Sequence, residues 1–200
     1  MCLNNWGGID HKVLEFHEYV NLFSGKSGSG KSTVMDAIQV ILYGSFSPSF
    51  LNKAADDAKN RRSVLSYLRG EQKDGSANRK DCDFCSVIAL EIEDTGTHII
   101  TCIGIAFEVR KSDSEIKKFV YFSHSGKMPE SEYLTEQGVC YSNQEIKKLV
   151  SARTKSDDNR GKGEVNRIYG SKEAYLGTLY DVILGSVSYT HLRAHETDSY

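Results

Sequence analysis

Eight residues near the start of the chain, Gly25–Ser32, have the types and spacing that bind phosphate. The run GKSGSGKS matches G-x-x-x-x-G-K-[ST], in which glycines let successive backbone N–H groups curl around phosphate oxygens. In this pattern Lys31 reaches the β- and γ-phosphates of a nucleotide, and Ser32 binds Mg²⁺. The predicted nucleotide-binding residues are Gly25, Lys26, Ser27, Gly28, Ser29, Gly30, Lys31, Ser32 and Thr33. The motif therefore predicts a P-loop with ATP and Mg²⁺ as cofactors.

The flanking sequence predicts the elements that hold this loop. Upstream, VLEFHEYVNLFSG (residues 13–25) alternates and is rich in β-formers, which predicts a strand running into the loop. Downstream, apolar residues recur on one helical face, which predicts a helix that ends at Gly44. The residues of this face are Val34, Ala37, Ile38, Ile41 and Leu42. The alternative to a P-loop is an ordinary Gly/Ser turn with an exposed lysine. Such a turn would not require a strand before it and a helix after it, so the flanking pattern favours the P-loop.

Three β-rich runs follow, at residues 86–94, 98–110 and 117–124, and polar turns separate them. They predict a three-stranded antiparallel meander, with Glu91 and Glu93 on its solvent face. Hydrolysis of ATP needs an acid at the end of an apolar parallel strand, and Asp181 precedes its apolar run instead of ending it. The sequence thus predicts a phosphate site without a Walker B acid or a signature loop.

Composition limits the function classes. The chain has 200 residues, 39% of them hydrophobic, and a formal net charge of −2. Basic character across the whole chain, which is typical of nucleic-acid binding, is absent, so any DNA contact must come from a local patch. No apolar run has the length of a membrane helix, and no export signal is recognisable. We therefore expect a cytoplasmic protein without membrane contact, in which Cys82 and Cys85 are structural cysteines and not a zinc or redox site.

The order of these blocks resembles a known architecture. A P-loop near the N-terminus, a basic connection over residues 50–72 and an antiparallel meander resemble the N-terminal half of an ABC-type head in SMC-like ATPases, which include MukB and SbcC. FLNKAADDAKNRRSVLSYLRG and DFCSVIALEIED look similar to blocks of the JetC-type subunits of Wadjet anti-plasmid systems. The resemblance covers roughly residues 5–110. It implies an α/β fold: the N-terminal lobe of an ABC-type head, spanning residues 1–185 and containing the meander.

The resemblance also implies partners and roles. The intact protein would be an ATPase that handles DNA in plasmid defence or chromosome maintenance. Its partners would be the C-terminal half of its own head, a second copy in a head-to-head dimer, DNA, and kleisin-like and accessory subunits. Arg69 would approach phosphates or DNA, with Lys59, Arg61 and Arg62 beside it, or else lie on a solvated helix face. Gln144 would be a Q-loop glutamine that reaches the metal, or else a surface residue at a helix start.

Three other functions remain open from the sequence. The first is a DNA-repair ATPase like RecF or RecN. The second is a small P-loop phosphotransferase, which would need a parallel strand ending in an acid and a lid of arginines. The third is a non-enzymatic module gated by nucleotide, although the intact Lys31 and Ser32 argue against a degenerate site.

The C-terminal part contains two weakly patterned segments. Residues 151–170 are polar, charged and glycine-containing, which predicts a mobile loop before a helical run that resumes at Ala174. VSYTHLRAHET (residues 187–197) is what a transposase-end adapter of a sequencing library encodes when it is read in frame. We therefore expect residues 186–200 to be a non-native tail. The alternative is a native tail in which His191 and His195 bind a metal.

Overall fold

The computed structural model describes residues 1–26, 28–48, 51, 63–71, 75–156 and 165–185. Within these residues, one antiparallel sheet has the strand order β2-β1-β3-β4-β5-β6. Its strands are β1 (Cys2–Trp6), β2 (Ile9–Val13), β3 (Phe84–Glu93), β4 (Ile100–Val109), β5 (Lys118–Ser125) and β6 (Arg167–Tyr169). The helices are α1 (Lys31–Tyr43), α2 (Val64–Arg69), α3 (Asn143–Ser156) and α4 (Lys172–Thr178), and a π-helical turn follows at Leu179–Ile183.

The predicted meander is confirmed. Strand β3 pairs with β4 along its whole length, from Phe84↔Val109 to Glu93↔Ile100. Strand β4 pairs with β5 from Thr101↔Ser125 to Glu108↔Lys118. Gly104 lies at a crowded point of the sheet, since a Cβ there would come 2.5 Å from the carbonyl oxygen of Ile88 and 2.7 Å from the ring of Phe122. The meander is therefore the close-packed centre of the molecule.

Helices cover both faces of this sheet. Successive strand residues point to opposite faces, so Ile88 belongs to one apolar cluster while Val87 and Ala89 belong to the other. Helices α1, α2 and α4 pack on the Ile88 side, which we call the P-loop face. Helix α3 packs on the other side through Ile146 and Val150, and we call this the α3 face. The fold is thus mixed α/β, with an antiparallel sheet between two helical layers.

The predicted helix after the P-loop is also confirmed. Helix α1 begins at Lys31, ends at Tyr43 and is followed by Gly44 in a left-handed conformation. Val34, Ala37 and Ile41 are buried, while Ile38 and Leu42 are partly buried against the same cluster. The apolar spacing of the sequence thus describes the face that packs on the sheet.

The predicted strand over residues 13–25 is wrong. Strand β2 ends at Val13, and residues 14–25, which we call the approach segment, contain neither helix nor strand. The Asn21 amide instead closes a short loop, because its oxygen accepts from the His17 N–H and its nitrogen donates to the His17 carbonyl, both at 2.7 Å. A strand needs a neighbouring backbone for its hydrogen bonds, and no described strand pairs with this segment.

The predicted mobile loop over residues 151–170 is also wrong at both ends. Helix α3 continues to Ser156, because Val150 remains buried and the Thr154 hydroxyl donates to the Val150 carbonyl at 3.0 Å. At the other end, Arg167–Tyr169 forms β6 and pairs with β5. Residues 157–164, and the predicted tail over residues 186–200, lie outside the described residues.

Candidate nucleotide-binding site

The loop before α1 curls around the ammonium group of Lys31. Gly28 and Gly30 have φ angles of 84° and 88°, which L side chains rarely adopt. Lys31 Nζ donates to the carbonyl oxygens of Gly25 at 2.7 Å and Lys26 at 3.0 Å, and lies 3.3 Å from Ser29 Oγ. The motif therefore forms a compact loop around one cation. Ser27 lies outside the described residues.

The N-terminus of α1 opens on this loop. Gly30 occupies the N-cap position, so no side chain caps the helix, and its first turn contains no acidic residue. The first N–H groups of a helix have no partner within the helix, and they carry the positive end of its dipole. Ser32 is exposed on this turn. Such an end suits an anion more than a neutral group.

The β1–β2 hairpin fixes the start of α1. The Trp6 indole Nε1 donates to the Thr33 carbonyl at 2.9 Å. Gly7, at the hairpin turn, has a φ of 59°, and a Cβ there would lie 2.5 Å from Thr33 Cγ2. The turn thus requires glycine both for its conformation and for its contact with Thr33. The first strand pair of the chain therefore positions the phosphate loop.

A buried polar contact holds α1 from its other side. Asp36 is 4% exposed, and its carboxylate accepts a hydrogen bond from the Tyr67 hydroxyl of α2. The Tyr67 ring stacks on Trp6 with 5.2 Å between ring centroids. These residues are not part of the predicted site, although an acid between Val34 and Ala37 on an apolar helix face is a usable signal.

The residues present fit a nucleotide with Mg²⁺. Lys31 offers a cation inside the loop, the uncapped helix start offers backbone donors, and Ser32 offers an exposed hydroxyl. Residues 1–58 match the family model for the P-loop containing region of AAA domain. No curated protein matches the chain. The chain thus contains a P-loop NTPase-type region, in an α/β fold with an antiparallel sheet.

Arg69 is bound to its own chain. Its Nη2 donates to the carbonyl oxygens of Asp113 at 2.5 Å and Lys111 at 3.2 Å, in the turn between β4 and β5. Its Nε is buried and has no hydrogen-bond partner among the described residues. The structure therefore ties this guanidinium to the β4–β5 turn, and it does not place Arg69 among the P-loop residues. Lys59, Arg61 and Arg62, proposed beside it, lie outside the described residues.

Gln144 lies in the first turn of α3, on the opposite face of the sheet from α1. Ser142 caps this helix: its hydroxyl accepts from the Glu145 N–H at 3.3 Å, and its N–H donates to the Glu145 carboxylate at 2.7 Å. The structure does not bring Gln144 together with the P-loop.

Arg79 is a second residue that the sequence did not reveal. Although it is only 7% exposed, its Nη1 pairs with Asp10 at 2.7 Å, its Nε donates to the Leu68 carbonyl at 2.9 Å, and its Nη2 donates to the Gly7 carbonyl. Burial lowers its pKa, and the nearby Asp10 carboxylate opposes that shift. Arg79 thus joins the hairpin to the end of α2, and no local pattern in the sequence marks it.

The remaining candidates lie apart from the phosphate loop. Glu91 and Glu93 are exposed on β3, as predicted. Burial raises the pKa of Cys85 to about 11 and that of Cys102 to about 12, which keeps both thiols protonated at neutral pH. Among the described residues, no group of three or more His, Cys, Asp and Glu side chains could hold a metal ion. No helix in the described ranges is both long and apolar enough to cross a bilayer.

Proposed function

We propose that this chain is the ATP-binding N-terminal lobe of an SMC-like ATPase head that handles DNA, as in Wadjet-type plasmid defence. The observation that carries the proposal is the P-loop, in which Lys31 and an uncapped helix start converge. ATP would bind with its β- and γ-phosphates at Lys31 and its Mg²⁺ at Ser32. The bound metal would neutralise phosphate charge, while the residues of this lobe would hold and orient the phosphates.

The exposed apolar surface of this chain is an argument for a second lobe that covers it. Tyr19, Val20 and Leu22 in the approach segment are 87%, 77% and 87% exposed, and Met35 on α1 is 45% exposed. Tyr19, Val20 and Leu22 lie within four successive positions, and such a concentration of exposed large apolar side chains is typical of an interface. In our proposal the C-terminal half of the head covers this surface and supplies the Walker B acid and the signature loop. A second head would then close the nucleotide site, with kleisin-like and accessory subunits attached, in the cytoplasm.

The described sheet gives no support to the phosphotransferase alternative. That function needs a parallel strand that ends in an acid near the P-loop. Every strand pair within the described residues is antiparallel. A lobe that depends on a second half for its catalytic acid agrees better with this topology.

Nucleotide binding can be tested with a pair of lysine variants in the full chain. We expect Lys31→Ala to weaken binding of a fluorescent ATP analogue with Mg²⁺ by about 10- to 100-fold, since a hydrogen bond to a charged group is worth about 1.5–3 kcal/mol. The matched control is Lys26→Ala, because the exposed Lys26 contributes its carbonyl oxygen to the loop and that oxygen remains. Equal losses in both variants, with circular dichroism unchanged, would contradict the assigned role of Lys31.

The head architecture has its own test. A long sequencing read through the codon for Gly185 should continue into heptad repeats and end with a signature loop and a Walker B strand. A frame that instead reads through THLRAHETDSY to a stop would make the tail native, and the SMC-like proposal would then fail. The nucleotide-binding result would be unaffected by either outcome.

A further inference from the structure

Helix α3 presents a basic stripe on its outer side. Lys147, Lys148 and Lys155, which we call the lysine stripe, are all exposed. A shallow depression of about 410 Å³ lies along them, and it is lined by Gln144, Lys147, Lys148, Ser151, Ala152 and Lys155. This spacing places the lysines on one side of the helix over roughly 12 Å of its length.

The charge of this stripe is not neutralised within the described residues. None of its three lysines forms an ion pair there, whereas Lys111, Lys117 and Lys118 pair with Asp81, Asp113 and Glu108. Two acids at the start of α3 are engaged there, and Asp157 and Asp158, which follow Lys155 in the sequence, lie outside the described residues. Glu145 accepts from Ser142, and Glu108 accepts from the Asn143 N–H at 3.0 Å. Within the described residues, positive charge is therefore concentrated at this place, although the net charge of the chain is −2.

The stripe lacks the features of a protein interface. Protein interfaces depend on buried aromatic and arginine anchors, and the depression is lined by neither. Lysine ammonium groups are point charges that bind phosphates without reading sequence. Ser151 and Ala152 are small, so a phosphate backbone can approach the helix between the lysines. The absence of aromatic side chains also argues against stacking on the bases of a single strand.

We propose that the lysine stripe of α3 binds the phosphate backbone of duplex DNA, independently of sequence. The proposal rests on the proposed function, because it names the surface through which this lobe would contact DNA. It places DNA on the α3 face, while the nucleotide binds on the P-loop face. The two binding events therefore use different residues and can be measured separately.

The test compares two triple variants of the full chain by fluorescence anisotropy with a labelled duplex of about 30 base pairs. The stripe variant is Lys147→Gln, Lys148→Gln and Lys155→Gln. The matched control is Lys80→Gln, Lys111→Gln and Lys117→Gln, which removes the same charge from exposed lysines around the β4–β5 turn. We expect the stripe variant to bind at least about tenfold more weakly at about 50 mM salt. The control should stay within about twofold of wild type.

Salt dependence separates phosphate contacts from other causes. Loss of three phosphate contacts should reduce the slope of log K against log salt by about 2.7. Between about 50 and 200 mM salt, the wild-type affinity should then fall roughly 40-fold more than that of the stripe variant. Binding of the ATP analogue should be equal in all three proteins, because Lys31 is untouched.

Four results would overturn the proposal: no binding of duplex by wild type, an unaltered stripe variant, an equal loss in the control, or equally good competition by polyglutamate. An equal loss in the control would assign DNA to the surface near Arg69, and competition by polyglutamate would indicate an acidic protein partner. Failure of wild type to bind the ATP analogue would instead refute the proposed nucleotide function, whatever the DNA result.

Discussion

The β3–β4–β5 meander and the approach segment differ in how far their backbones are hydrogen-bonded and their side chains buried. Along the meander, paired backbones and interdigitated side chains leave Ile88, Ile103 and Phe107 with no exposed surface. In the approach segment, Tyr19 and Leu22 are each 87% exposed, and a single asparagine closes the loop. The meander thus buries its own apolar side chains. In the approach segment, by contrast, large apolar side chains remain exposed. The phosphate site is thus joined to a well-packed sheet by a segment whose large apolar side chains are exposed.

Crowding the meander should have a large effect. Gly104→Ala adds a Cβ at 2.5 Å from the backbone oxygen of Ile88, and backbone in a sheet cannot move aside cheaply. We expect the free energy of unfolding to fall by about 3 kcal/mol, measured by urea denaturation. The control is Gly96→Ala in the exposed turn, where the nearest atom would be Asp94 Oδ1 at 3.4 Å and the change should be less than about 1 kcal/mol. Equal changes would mean that the meander is not close-packed.

A second prediction tests whether α1 is held as firmly as the meander or as loosely as the approach segment. Tyr67→Phe removes the hydroxyl that donates to the buried Asp36 carboxylate, but it keeps the ring that stacks on Trp6. We expect a loss of about 1–3 kcal/mol in the free energy of unfolding, because a buried charged acceptor loses a donor. Tyr19→Phe, in the approach segment and 87% exposed, is the control and should change little. If Tyr67→Phe leaves the free energy of unfolding unchanged, α1 is held as loosely as the approach segment.

The sequence predicted the parts of this fold whose signals are local. Helix α1 and the three meander strands follow from apolar spacing within each run and from the turns between them. The strand over residues 13–25 could not be judged in this way, since alternation does not reveal whether a partner strand exists. The contacts that fix the phosphate loop also join distant residues: 27 positions separate Trp6 from Thr33, and 31 separate Asp36 from Tyr67. For the same reason, the carbonyls that hold Arg69 were out of reach of local patterns, since they lie 41 to 44 positions away.

A third prediction uses the pH to compare the two regions. His124 on β5 is fully buried between the Ser125 carbonyl and the Tyr133 hydroxyl, and loss of hydration lowers its pKa. Below about pH 6.5, the unfolded chain binds a proton that the folded chain excludes, so stability should fall as the pH falls. The slope contributed by one such proton is at most about 1.4 kcal/mol per pH unit.

Two variants isolate this contribution. His124→Gln should flatten the pH dependence of urea unfolding between about pH 6.5 and 5, although it also lowers stability at every pH. His17→Gln replaces a histidine of the approach segment whose side chain is exposed, and it should leave the slope as in wild type. The slope, and not the stability itself, is the measurement, since a merely structural loss would move the whole curve without tilting it. An unchanged slope in His124→Gln would show that another group controls the acid side.

The smallest effect should come from the approach segment itself. Leu22→Ala removes a large apolar side chain that is 87% exposed, so little buried surface is lost and the free energy of unfolding should change by less than about 0.5 kcal/mol. The buried counterpart is Ile103→Ala in β4, where the side chain has no exposure and the expected loss is about 2–5 kcal/mol. A large loss in Leu22→Ala would mean that the segment is packed in solution, and the contrast between the two regions would disappear. A negligible loss, together with reduced self-association in sedimentation measurements, would identify Leu22 as part of a surface that a second lobe covers.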